Sequence, residues 1–267
     1  MTQSIRWLQN EIADRMLQKL DIVKLDPKDV LLIPDFPGSH AEFLRKRFPK
    51  AAFHSAAEEG LSTSSLCYLR AARQWRAIFR GGSSVALSAF RKEGRIALPD
   101  NSVDLIFSNL LLQDLQDPAL FIKECWRVLR EGGLLTFSYL GPDTGKELFE
   151  FGLSGQLGVQ SLPGAWDMHD IGDALVGEQF SDPVMDMEYL NLEYDSDVLL
   201  LADVKSLNLI SLDFIGTQSV IDLPKKLTLE LVYGHAWALG KHLAKVQNHV
   251  AYIDPKQIQR KTSSDPN

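Results

Sequence analysis

Residues 98–148 read LPDNSVDLIFSNLLLQDLQDPALFIKECWRVLREGGLLTFSYLGPDTGKEL, and within them a strand, a helix and a second strand follow in succession. Val103 to Phe107 is a short apolar run preceded by the turn formers Pro99, Asp100, Asn101 and Ser102, the pattern of a buried strand. Asp117-Pro118 offers a cap followed by proline at the first helical position, where a missing N–H costs nothing. Phe121, Cys125, Val128 and Leu129 then fall on one helical stripe, with Lys123, Arg127 and Arg130 mostly on the other side. Gly132-Gly133 predicts a left-handed helix stop, and Leu134 to Tyr139 a returning strand. Two apolar strands joined by a crossover helix predict parallel pairing in an α/β sheet.

Working outward, MTQSIRWLQNEIADRM predicts an amphipathic helix with Ile5, Leu8, Ile12 and Met16 on one side. Val30 to Ile33 reads as the first strand, and Ser39-His40-Ala41-Glu42 has capping-box spacing for a helix to about Arg47. Ala51 to His54 is expected as strand two, Ser64 to Phe79 as a helix ended by Gly81-Gly82, and Ser84 to Ser88 as strand three. Between about 141 and 211 the pattern reads as acidic-surfaced helices, including Asp167 to Glu178 and Asp195 to Leu207, expected to form an inserted cap over the carboxyl ends of the strands. Leu227 to Tyr233 returns to strand character. The expected organisation is one domain over 1–253 with that insertion, and a polar, flexible tail over 254–267.

The 98–148 block resembles the class I S-adenosylmethionine-dependent methyltransferases, and within them the malonyl-acyl carrier protein O-methyltransferases of biotin synthesis. VDLIFSN, RVLREGG and the following strand carry the general likeness. FSYLGPDTGKEL, DMHDIGDALVGEQFSDPVMDMEYL (167–190) and LELVYGHAW (229–237) carry the narrower one. The resemblance implies a doubly wound, mostly parallel, seven-stranded Rossmann-like α/β sheet. It also implies S-adenosylmethionine as cofactor, held near Gly38, Ser108, Asn109 and Leu110, an acyl carrier protein as partner, and methyl transfer to an acyl carboxylate.

One region departs from that likeness. Where such enzymes read V-L-D-x-G-x-G-x-G, this chain reads Val30-Leu-Leu-Ile-Pro-Asp-Phe-Pro-Gly38. Pro34 and Phe36 replace two glycines, Leu32 replaces the first acid, and only Gly38 survives. Proline is fixed near a φ of about −65° and donates no N–H, so this degenerate cofactor loop loses backbone freedom and a donor together. At the end of strand two, where an acid usually receives the ribose hydroxyls, stands Ala57, with Glu58 and Glu59 as the neighbouring alternatives. After strand three, Ala89-Phe90-Arg91-Lys92 puts positive residues where an acid near the adenine is usual. The expectation is a methyltransferase fold whose cofactor site is impaired or lost; the alternative is an active, divergent carboxyl O-methyltransferase.

The 267 residues are 45% hydrophobic and 24% charged, with a net charge of −7. The charge is uneven, because the first 100 residues hold 16 Lys and Arg against 11 Asp and Glu. Basic side chains between 45 and 95 form either an ordinary solvated face or a receiving surface for an acidic protein such as an acyl carrier protein. Nucleic acid is not an expected partner. With no long apolar run and no cleavable signal, the expectation is a soluble cytoplasmic protein. Cys67 and Cys125 lie in helical patterns and read as buried thiols. His235, His242 and His249 recur every seven residues, but on a helix they would stand about 10 Å apart in rise, too far to share a metal ion. His169 and His235 fall in the family-like phrases, as pocket-shaping or structural residues. No residue is assigned a catalytic proton transfer.

Overall fold

The computed structural model describes residues 3–35, 40–57, 82–150, 166–209, 223–241, 245–247 and 250–252. In chain order these form α1 (Gln3–Leu20), β1 (Asp29–Asp35), α2 (His40–Arg47), β2 (Ala52–Ala57), β3 (Ser84–Ala86) and α3 (Leu87–Glu93). There follow β4 (Val103–Asn109), a single 3-10 turn (Leu112–Asp114), α4 (Pro118–Val128), β5 (Leu129–Leu140) and α5 (Lys146–Glu150). The described chain continues with α6 (Met168–Gly177), β6 (Ser181–Glu193), α7 (Asp197–Ser206), β7 (Lys226–Ala238), β8 (Lys245–Gln247) and β9 (Val250–Tyr252).

Seven strands form one sheet in the order β3-β2-β1-β4-β5-β7-β6, with β8 and β9 as a separate pair. Neighbours from β3 through β5 pair in parallel, while β7 runs antiparallel to both β5 and β6. The strand order reverses between β1 and β4, and a crevice at the carboxyl ends of such a pair is where open α/β sheets receive ligands.

Each sheet face carries its own core. On one, Leu8, Ile12 and Met16 of α1 join Leu44 of α2 and Leu200 and Val204 of α7. On the other, Phe90 of α3 packs with Phe121 and Val128 of α4 and Ile171 and Leu175 of α6. The α4 start is as its sequence predicts: Pro118 opens the helix, and the Asp117 side chain accepts from Leu120 N at 3.2 Å.

Several boundaries differ from the sequence reading, each for a physical reason. The helix α4 stops at Val128, before the glycine pair, because Leu129 turns extended (ψ 141°) and pairs with Val103. Lys241 donates to the Trp126 and Leu129 carbonyls there, supplying a cation at the helix end. Gly132 does take a left-handed φ of 80°, but within the irregular start of β5. The strand β2 runs on to Ala57, and β3 is only three residues long, so Phe90 to Lys92 lie in α3.

The largest correction concerns 141–211. The range contains β6, a thirteen-residue strand at the edge of the sheet, and its two longer described helices cover the two sheet faces, with α6 beside α4 and α7 beside α1. β6 alternates partly buried with exposed positions along most of its length. Met185 and Met187 turn to one core, and Leu190 and Leu192 to the other. The expected helices over Asp167–Glu178 and Asp195–Leu207 are present as α6 and α7, while Asp182, Asp186 and Glu193 occupy exposed positions of an edge strand, where charge discourages pairing with another chain. The predicted helix over 64–79, Cys67, and the tail from residue 254 lie outside the described residues. Among the described residues no helix is long and apolar enough to cross a membrane.

Candidate functional site

β1 is a central strand that contains a proline. Its pairing with β2 is regular from Asp29 to Leu32 and then shifts, with Asp35 opposite Ala57. Pro34 sits in that irregularity, the place where a strand tolerates a residue that cannot donate to the ladder. Beyond it, Asp35 is only 3% exposed and already partnered: its carboxylate accepts from Ser55 Oγ and faces His40 Nε2 at 3.5 Å. The fully buried His40 ring stacks on Phe107, with centroids 6.2 Å apart. Asp35, Ser55 and His40 thus form a buried acid, hydroxyl and imidazole cluster at the carboxyl end of β1. Phe36 to Gly38, and Glu58 and Glu59, lie outside the described residues.

The β4 side is ordered by hydrogen bonds. Asn109 Nδ2 donates to the Gln9 carbonyl of α1 at 2.8 Å, and Asn109 Oδ1 accepts from Ser138 Oγ at 2.9 Å. Leu110 takes a left-handed φ of 56°, unusual for a branched side chain, and its N–H donates to the Ser138 carbonyl at 3.0 Å. Gln113 Nε2 donates to the Leu110 carbonyl at 2.9 Å. Ser108, Asn109 and Leu110 stand at the carboxyl end of β4. Asn109 and the Leu110 N–H are spent on holding the helix and strand ends together, whereas Ser108 Oγ is buried with no partner among the described residues.

Sequence reasoning did not single out Glu230, which organises the turn after β5. Its Oε2 accepts from Asp143 N at 2.6 Å, and Thr144 Oγ1 accepts from Glu230 N at 3.1 Å. Gly141 is required there, since a Cβ on it would meet the Glu230 carboxyl carbon at 2.5 Å. Burial, then Asp143 and Asp167 as like charges, outweigh the Asp143 N–H and push the Glu230 carboxyl above the ordinary range. Tyr189 OH donates to Asp143 Oδ2 at 2.9 Å, and Glu147 accepts from Thr228 N at 2.9 Å. The Glu147 carboxyl lies below its ordinary range because the Thr228 bonds outweigh burial. The signal was available: Glu230 is the one acid in the apolar run LTLELVYG.

Tyr139, near the end of β5, is 0% exposed and its hydroxyl has no partner among the described residues. Burial first, then Asp167, Glu230 and Asp170, push that phenol well above its ordinary value. His169 is 79% exposed at its side chain and bonds Asp167 at 2.6 Å, so it lies on the surface. His235 lies in β7 opposite Thr136, four residues below the Leu231–Leu140 pair at the rim, and burial lowers its pKa. Its strand position removes the helical histidine stripe; His242 and His249 lie outside the described residues. Among the described residues no group of three or more His, Cys, Asp or Glu could hold a metal. Cys125 is a buried free thiol whose pKa burial raises.

Within the basic region, Arg47 pairs with Asp21, Lys46 with Glu42 at 3.0 Å, and Arg45 covers the Phe53 ring at 5.0 Å. Lys50, Lys92 and Arg95 are exposed. Arg70, Arg73, Arg76 and Arg80 lie outside the described residues.

This strand order, with its reversal at β1 and β4 and one antiparallel strand near the edge, is the class I, Rossmann-like methyltransferase fold. A family model described as "Methyltransferase domain" matches residues 70–137. The YcgJ protein of Bacillus subtilis has this fold with a TM-score of 0.56 and 13% identity, over 86% of this chain and 99% of that one. Phosphoethanolamine N-methyltransferase 2 of Haemonchus contortus, solved with S-adenosyl-L-methionine, has a TM-score of 0.51 and 17% identity, over 88% of this chain and 53% of that one.

Sequence relatives narrow the class. A malonyl-[acyl-carrier protein] O-methyltransferase of Laribacter hongkongensis is 34% identical, over 86% of this chain and 82% of its own length. That of Gallionella capsiferriformans is 35% identical, over 86% and 83%. Malonyl-[acyl-carrier protein] O-methyltransferase 1 of Coxiella burnetii is 39% identical over 73% of this chain, and the match spans 62% of that protein. The chain belongs to the malonyl-[acyl-carrier protein] O-methyltransferase family, whose class uses S-adenosylmethionine.

Pro34 has no N–H, the Asp35 carboxylate and the Asn109 amide are committed internally, and Ala57 ends β2 without a side chain that could receive ribose hydroxyls.

Proposed function

We propose that this chain is a noncatalytic member of its family, with the cofactor site impaired and the acceptor side of the fold retained. The observation that carries the reading is the Asp35, Ser55 and His40 cluster beyond Pro34, which turns the carboxyl end of β1 inward. Methyl transfer from a sulfonium to a carboxylate needs little acid–base help, because the nucleophile is already ionised. The protein's contribution is alignment, so losing the grip on the donor removes most of what it could supply.

The competing reading is an active carboxyl O-methyltransferase of biotin synthesis acting on a malonyl acyl carrier protein. Identities of 34% and 35% over most of the relatives' lengths favour it. The exposed Lys50, Lys92 and Arg95 would serve either reading as a landing surface for an acidic carrier.

Reversing the loop tests the proposal. A Pro34→Gly, Phe36→Gly double variant should gain S-adenosylmethionine affinity in equilibrium dialysis by about tenfold or more over the parent. A parent that already binds the cofactor at micromolar levels and methylates malonyl carrier protein contradicts it.

A further inference from the structure

A second group of reactive side chains stands at the amino ends of β1, β2 and β3, at the opposite end of the strands from the carboxyl rim. Ser83 Oγ lies 2.8 Å from His54 Nδ1, and His54 Nε2 lies 3.2 Å from Asp29 Oδ1. A hydroxyl, an imidazole and a carboxylate thus form one hydrogen-bonded chain, with both distances inside the reach of a general base and the group that orients it.

The backbone sets this arrangement. Ser55 pairs with Ser84 in the parallel β2–β3 register, and the Ser55 N–H donates to the Ser83 carbonyl at 3.0 Å, which brings Ser83 alongside His54. The residue before it must be glycine: Gly82 has a φ of 112°, and a Cβ on it would meet the Phe53 carbonyl oxygen at 2.3 Å. Asp29 is held from its other side, where Oδ2 meets the Arg130 guanidinium at 2.8 Å. Asp104 takes the same guanidinium at 2.8 Å and accepts from the Lys28 and Asp29 N–H groups.

These bonds also fix which nitrogen of His54 carries the proton. The Ser83 N–H donates to Nδ1 at 3.2 Å, so Nδ1 is an acceptor and the Nε2–H donates to Asp29. The Ser83 hydroxyl therefore donates to a basic lone pair. The side chains of His54 and Asp29 are 14% and 24% exposed, whereas Ser83 is open to solvent. A sheltered base beside an accessible hydroxyl is what a nucleophilic serine requires. The two ring nitrogens exchange the places they have in serine hydrolases, which leaves each proton transfer the same.

We propose that Ser83, His54 and Asp29 form a second reactive site, an esterase centre for short acyl groups on good leaving groups. Ser83 Oγ adds to the ester carbonyl as its proton passes to His54 Nδ1. The intermediate collapses, and the alcohol or phenol departs with that proton. Water then hydrolyses acyl-Ser83 with His54 again as base, so one ester and one water give one carboxylic acid and one alcohol. Asp29 is a positioning residue that holds the ring and its tautomer. The exposure of Ser83 selects the substrate class, because an open site grips little of a long chain and depends on a group that leaves readily, as in an aryl ester. No step uses the carboxyl rim, so the assignment stands apart from the noncatalytic reading above.

The test uses the full chain with p-nitrophenyl acetate and, separately, with a fluorophosphonate, which phosphonylates an activated serine with loss of fluoride. Ser83→Ala, which removes one exposed hydroxyl, should slow ester hydrolysis by about tenfold or more. Peptide mass spectrometry should find the phosphonyl group on Ser83 and not on the neighbouring exposed Ser84. His54→Gln should slow that labelling by about tenfold or more, and Asp29→Asn should lower kcat for the ester by about tenfold with KM unchanged. A parent that neither hydrolyses the ester nor takes the label, hydrolysis unchanged in Ser83→Ala, label shared equally with Ser84, or parental labelling in His54→Gln would each overturn the assignment.

Discussion

The two halves of the sheet are built differently at their loop ends. From β4 through β7 and β6, local rules and observed structure agree: a capped helix, long paired strands, and a turn locked by Glu230. From β1 to β3, the strands also pair in parallel, and their loop end carries Pro34, the inward Asp35 and Ala57. Scaffold and ligand contacts are separable in such folds, because the core lies on the two faces of the sheet while open α/β sheets receive ligands at the strand ends.

Substitutions in the intact half should therefore cost stability, and loop reversions in the other half should change binding instead. The largest loss is expected for Phe121→Ala, which empties a fully buried site packed edge-on against Phe90. About 3–5 kcal/mol should disappear in urea titration. Asn109→Ala unties α1 from β4 and leaves the Gln9 carbonyl and Ser138 hydroxyl short of a partner, with an expected cost of about 1–3 kcal/mol by the same method. Asp117→Ala removes the α4 cap and should cost about 1 kcal/mol.

The smallest effect is a pH dependence. Burial pushes Glu124 up, but Arg127 and the Ile96 N–H outweigh it, and the carboxyl ends below its ordinary range. A depressed folded pKa adds stability above the unfolded value of about 4.3, and that stability is lost as pH falls through the folded value. Stability measured from pH 6 downward should accordingly fall more steeply for the parent than for Glu124→Gln, as urea midpoints at about 0.5-unit steps would show. Parallel curves would mean that the Arg127 contact contributes nothing.

Much of the fold was legible because its signals are local. Asp117-Pro118, the Val103 run and the amphipathic α1 each announce themselves within a few residues. The misread range 141–211 shows the opposite case. β6 is an edge strand whose apolar residues change face midway, Met185 and Met187 before Leu190 and Leu192, so neither period is clean over its length. The α4 end was misplaced because Leu129 pairs with Val103 on the neighbouring strand, a contact that no local signal shows. At the site, Pro34 and Ala57 were visible in the sequence as departures from the family pattern. The internal Asp35 cluster was not, since it depends on Ser55 and His40 arriving from two other elements. Ser108 and Asn109 are adjacent in sequence yet face opposite cores, and only the register shows which one is spent.

The central claim is that the carboxyl end of β1 no longer holds a nucleoside sulfonium. Calorimetric titration of the unmodified full chain with S-adenosylmethionine tests it most directly. The account predicts no binding heat up to millimolar cofactor, and a saturable heat with micromolar affinity would contradict it.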